Sequence, residues 1–172
     1  MVLRQGGIVA HATEAVFGIA ASAFDSAACE RVALLKSRGT TQRFIVIGWC
    51  IEQLEALVSL RTPLRAEICA SWPGPFTWIL PARADSPPWL VDIDGNIAVR
   101  VTAHEQSAKL CRRAGPLIST SANLGGKPPA RSLFTAKTRL WSHIDAFVPG
   151  VVDHLARPSQ IRHGITGVLL RA

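Results

Sequence analysis

Tyrosine is absent from this sequence and methionine occurs once. The five tryptophans and six phenylalanines do not fall into the aromatic pattern that RNA-recognition motifs use to stack bases. No apolar run reaches the ~18 residues that span a bilayer. No continuous apolar stretch with a small-residue cleavage site follows Arg4, so neither a membrane span nor a signal peptide is expected. Cysteine is sparse: Cys29, Cys50, Cys69 and Cys111 are widely spaced, with no CxxC pair and no Cys/His cluster. That spacing argues against zinc and predicts four buried, reduced thiols in a cytoplasmic protein. Phosphate-binding GxxxxGK[ST], dinucleotide-binding GxGxxG, HExxH and GxSxG are all missing, and no local signature supports a Ser/His/Asp triad.

Lysine is scarce too, whereas arginine is not. Fifteen of the 19 basic residues are arginine, against 12 acids, for a net charge of +7. Arginine grips phosphate with a planar, bidentate fork, where lysine offers a point charge. A small, arginine-rich basic chain points to nucleotide or nucleic-acid partners; solubility alone is the other explanation. With 172 residues and 48% hydrophobic content, residues 1–172 are long enough to form one domain with its own core.

Strands and helices alternate. Strands are expected at Ile8 to His11, Phe44 to Gly48, Phe76 to Leu80, Asn96 to Val101 and around Leu117, with short ones at Ala146 to Val148 and Val168 to Leu170. Asp25 or Ser26 can cap a helix running through Ser37. Further helices are expected after Ile51, from Pro63 to Ser71, from Glu105 to Arg113 and from Ser132 to Trp141. Some turns are too short for parallel crossovers, so the expected fold is α/β with a mixed sheet. His104, His143, His154 and His163 are isolated in sequence and read as surface residues.

The densest chemistry lies in Pro116 to Gly126. Leu117 and Ile118 form a short apolar strand, and Ser119, Thr120, Ser121 and Asn123 crowd its exit before two glycines. Open α/β sheets bind ligands at strand ends, and this set of hydroxyls and amide suits a nucleotide; it is equally turn chemistry. Arg100 sits between Val99 and Val101 in an apolar strand, where a charge requires either a ligand or a buried acid.

Taken in order, the TEAVFG block at Thr13 to Gly18, the KxR pair Lys36 and Arg38, WPGPFT at Trp72 to Thr77, AVRVT at Ala98 to Thr102 and STSANLGG at Ser119 to Gly126 resemble the YrdC family. These are the threonylcarbamoyl-AMP synthases (TsaC type) of tRNA modification. The resemblance covers residues 7 to 171. It implies a single YrdC-like domain: a twisted mixed sheet with flanking helices and a concave, basic ligand face. It also implies a nucleotidyltransferase that joins L-threonine, bicarbonate and ATP into threonylcarbamoyl-AMP, with magnesium arriving on ATP and no tightly held cofactor or protein-bound metal. By resemblance Thr13, Arg100 and Ser159 would hold threonine. Lys36, Arg38, Thr77, Thr102, Ser121 and Asn123 would hold ATP. Tightly placed charge would do the chemistry, with no catalytic residue assigned. Partners would include tRNA or double-stranded RNA and the machinery that transfers the product to adenosine 37, and no membrane.

Several positions depart from the family pattern. Ala12 replaces its proline and His11 its usual tyrosine. Gly39 and Gln42 stand where proline and a further lysine are expected, with Arg43 one residue off as a replacement. Only Met1 to Gly7 precede the first strand, where the family usually has a helix, so an apolar face would be left exposed. A non-catalytic RNA-binding module and a low-activity paralogue are the alternative readings.

Overall fold

A computed structural model describes residues 1–37, 44–153 and 159–171. Nine strands form one sheet: β1 (Val9–Ala12), β2 (Phe17–Ser22), β3 (Ile45–Gly48), β4 (Phe76–Pro81), β5 (Asn96–Val101), β6 (Leu117–Ser121), β7 (Ala146–Phe147), β8 (Gln160–His163) and β9 (Leu169–Arg171). Their order is β7-β1-β2-β6-β3-β5-β4-β8-β9. The pairs β1–β7, β3–β5 and β4–β8 are parallel and the others antiparallel. The sheet is therefore mixed, as the short turns require.

Strand alternation sorts side chains onto two faces. Ala10, Ile19, Val46, Val99 and Ile118 enter the larger core, which also takes in Cys29 and Val32 of α1 (Ser26–Leu35), Leu54 of α2 (Ile51–Glu55), Ile68 of α3 (Arg65–Ala70) and Ala136 and Leu140 of α5 (Leu133–Leu140). Their strand neighbours Val9, Ala20, Ile47 and Leu117 point the other way, into a smaller cluster with Leu3 and with Cys111 of α4 (Glu105–Ala114). The residues before β1 do not leave that second face bare. A 3-10 turn at Val2–Gln5 drives Leu3 into it, to 1% exposure.

Capping fixes the helix starts. Asp25 is the cap of α1, its Oδ1 accepting from the Ala28 amide at 2.9 Å. Ser132 caps α5 through the Thr135 amide at 3.1 Å. His104 caps α4, its Nδ1 accepting from the Ser107 amide at 3.4 Å. His104 is thus buried, at 4% exposure, and not a surface residue; sequence isolation concealed its capping role. His143 is exposed and His163 half-buried, while His154 lies outside the described residues.

Two strands escaped the sequence reading. Apart from Phe17 and Ile19, β2 consists of Gly18, Ala20, Ala21 and Ser22, small residues of low strand propensity, and its place between β1 and β6 overrides their preference. β8 is polar and gains its form from pairing between β4 and β9. The cysteine expectation holds by half: Cys29 and Cys111 are buried, Cys50 and Cys69 only partly so, and all four are free thiols. Among the described residues no helix is long and apolar enough to cross a membrane.

Candidate functional site

One step along the strands from the smaller cluster, the same face of the sheet opens into a cavity of about 530 Å³. Gly18 of β2, Ile45 of β3, Ala98 and Arg100 of β5 and Ser119 and Ser121 of β6 form its floor. The alternation that buries Leu117 on this face brings Ser119 and Ser121 to it as well. The turn after β1 supplies one wall through Thr13 and Glu14, and Ser159 and Arg171 supply another.

Arg100 meets both demands that its setting raised. Its Nη2 lies 3.3 Å from Glu14 Oε2, with both side chains nearly buried, and it lines the cavity. Its buried Nε has no hydrogen-bond partner among the described residues. Glu14 also accepts from Thr102 Oγ1 at 2.8 Å. Burial pushes the Glu14 carboxyl up. The Arg100 charge, the bond from its own backbone and the Thr102 hydroxyl outweigh that and hold it below the ordinary value.

Thr13 lines the cavity, and its Oγ1 donates to the Val16 carbonyl at 2.7 Å, which fixes the turn. Ser159 lines the opposite wall. Its Oγ lies 3.1 Å from Thr77 Oγ1 and accepts from Arg171 Nη2 at 3.2 Å. Arg171 is pulled below the usual guanidinium value by desolvation and by the Arg100 charge. The two guanidinium groups therefore share one cavity and repel each other across it.

Lys36 projects from the end of α1 into the strand-exit loop. Its Nζ donates to Asn123 Oδ1 at 2.7 Å and to the carbonyls of Ser121 and Asn123 at 2.9 Å each. Asn123 in turn accepts from Ser121 Oγ at 2.6 Å, and its amide donates to the carbonyls of Leu124 and Lys127. Lysine and asparagine thus shape the loop that presents Ser121.

Of the residues anticipated from sequence, Thr13, Arg100, Ser121 and Ser159 line the cavity. Lys36 and Asn123 stand behind Ser121, Thr77 behind Ser159, and Thr102 behind Glu14, each one hydrogen bond from the wall. Arg38, Gly39, Gln42 and Arg43 lie outside the described residues. Glu14 and Arg171 were not singled out. A charge in a small-residue turn and a charge closing an apolar strand are the same signal that marked Arg100. The described lining sets Arg100 and Arg171 against Glu14 and Asp92, so a basic ligand face is not what it shows.

The family model for Sua5/YciO/YrdC domains, described as telomere recombination, matches residues 1–172. The chain belongs to the Sua5/YciO/YrdC family. Among its curated relatives, the threonylcarbamoyl-AMP synthase of Nitrosococcus oceani is 44% identical over 172 residues, covering 99% of this chain and 93% of that protein. The enzyme of the same name from Coxiella burnetii is 40% identical over 171 residues, covering 98% and 92%. Among solved structures, P. abyssi Sua5 complexed with L-threonine is 32% identical with a TM-score of 0.85. That match covers 94% of this chain and 48% of the Sua5 chain, so this family member spans about half of it. E. coli YciO, at 20% identity and a TM-score of 0.86 over 99% of this chain and 84% of its own, shares the fold.

Proposed function

We propose that this chain is a threonylcarbamoyl-AMP synthase. L-Threonine, bicarbonate and ATP give threonylcarbamoyl-AMP, pyrophosphate and water. The amino group of threonine and bicarbonate form a carbamate with loss of water. A carbamate oxygen then bonds to the α-phosphorus as the bond to the pyrophosphate oxygen breaks. Such a transfer depends on positioning and on neutralising phosphate charge, and magnesium arrives with ATP as part of the substrate.

The observation that carries this reading is Arg100: a buried guanidinium on the cavity wall, oriented by Glu14, with its Nε–H still to be satisfied. Such a donor suits a carboxylate. Thr13 and Ser159 flank it, and relatives of that name align over nearly the whole chain. Ser121, braced by Lys36 and Asn123, supplies the nucleotide side. The adenylate then passes to the machinery that modifies adenosine 37 of tRNA.

The test is pyrophosphate release. Purified protein given MgATP, bicarbonate and L-threonine should release pyrophosphate, and leaving out threonine should abolish it. Equal release with no amino acid would sink the assignment.

A further inference from the structure

The cavity is sorted by charge along its length. Arg100, Ala98 and Asn96 alternate onto one face of β5 and all line it. At about 3.3 Å per residue they span roughly 13 Å. Both guanidinium groups stand at the Arg100 end. Arg171 pairs with Ile161 and Ile161 with Thr77, one step past the Trp78–Val99 pair that joins β4 to β5. Glu14 is bound to Arg100 there, and Ser159 to Arg171.

The next rung carries no hydrogen-bonding side chain on its three middle strands. Ile45 of β3, Ala98 of β5 and Ile79 of β4 sit side by side, and all three line the cavity. Strands lie about 4.8 Å apart, so this rung is an apolar surface wide enough for a purine ring. Ser119 of β6 borders it beside Ile45, and Ser121 follows on the same face.

Asp92 stands at the other end, with Asn96. Its Oδ1 holds the turn into β5 by accepting from the Asn96 amide at 2.7 Å and the Asp94 amide at 3.0 Å. Its Oδ2 has no hydrogen bond among the described residues, on a side chain fixed at the cavity wall. A carboxylate repels phosphate and can only accept hydrogen bonds.

From this sorting we infer that Asp92 selects the base of the nucleotide. The purine lies on the Ile45–Ala98–Ile79 rung, and Asp92 Oδ2 accepts from its exocyclic 6-amino group. The Asp92 charge turns the triphosphate away, toward Ser119 and Ser121, and the amino acid takes the Arg100 end. The inference rests on the synthase reading and deepens it: one residue tells ATP from a nucleotide with a 6-carbonyl. That carbonyl would set acceptor against acceptor, with no proton between them.

The test is calorimetry with the magnesium complexes of ATP, of ITP, which has a 6-carbonyl, and of purine riboside triphosphate, which has only hydrogen at position 6. The wild type should bind ATP about tenfold or more tighter than either. Asp92→Asn keeps Oδ1 for the turn amides and puts an amide NH2 where Oδ2 stands. The preference for ATP over ITP should then shrink about tenfold or more or invert, with purine riboside triphosphate affinity unchanged. A wild type that binds ATP no tighter than purine riboside triphosphate would overturn the inference without any variant. An ATP-to-ITP preference unaltered in D92N would reduce Asp92 to a turn anchor and overturn it as well. A wild type that binds none of the three would instead overturn the synthase reading, and this inference with it.

Discussion

Arg100 Nη2 stands 3.3 Å from Glu14 Oε2 although 86 residues separate them in sequence. The pair ties the turn after β1 to the C-terminal end of β5, so whatever orients one side chain orients the other. Its geometry permits two losses to be told apart. Arg100→Lys keeps the charge beside Glu14 but removes the planar fork and the Nε–H. Threonine affinity should then fall tenfold or more, equivalent to at least ~1.4 kcal/mol, with a small change in Tm. Arg100→Ala strands a buried carboxylate and should cost about 3–5 kcal/mol of stability. Melting curves and threonine titrations on both variants check this. A folded Arg100→Lys protein with wild-type threonine affinity would remove Arg100 from the site.

Lys36 poses a different question, because its ammonium already meets three acceptors on Ser121 and Asn123 at 2.9 Å or less. Lys36→Met leaves those acceptors buried and short of a donor. We expect a loss of roughly 2–4 kcal/mol, or about 5–15 °C in Tm for a chain of this size. ATP affinity should fall as well, because the loop that presents Ser121 loses its brace. If ATP affinity fell with Tm unaltered, Lys36 would be touching phosphate directly and the brace would be of no consequence.

Much of the scaffold was legible in the sequence because each signal was local. Asp25 before an apolar periodicity gave α1, the AVRVT run gave β5, and the Ser/Thr/Asn cluster after Leu117 and Ile118 gave the exit of β6. Arg100 was legible because a charge between two valines has few physical solutions. What the sequence could not show was the layering behind the wall. Thr77, Thr102, Asn123 and Lys36 looked like ligand contacts of equal rank with Ser121 and Ser159. Their positions one hydrogen bond back depend on long-range pairings such as Lys36 with Asn123 and Thr77 with Ser159. β2 was hidden by its own small residues, which form a strand because neighbours on both sides pair with them. His11 was hidden for a related reason: a lone histidine carries no sign that Ser107 and His104 will meet it.

His11 also gives the protein a specific pH dependence of stability. Its pKa is lowered from 6.5 to about 4, chiefly by burial, with His104 and Arg100 nearby lowering it further and the Ala12 carbonyl and Glu14 raising it. The sign follows from proton uptake. Between pH 6.5 and 4 the unfolded chain protonates this histidine and the folded protein does not. Stability from this group is fully present above about pH 6.5 and is lost as pH falls toward 4. Over pH 7.5 to 5.0 the loss is about 2 kcal/mol, roughly 4–8 °C in Tm. Glu14, held below its ordinary 4.5, enters only in more acidic solution. His11→Asn removes the titrating group, so its Tm should change less than that of the wild type across this interval. Thermal melts at half-unit pH steps on both proteins make the comparison. Parallel curves would mean that His11 takes up its proton as readily in the folded protein as in the unfolded chain, and that burial does not hold its pKa down.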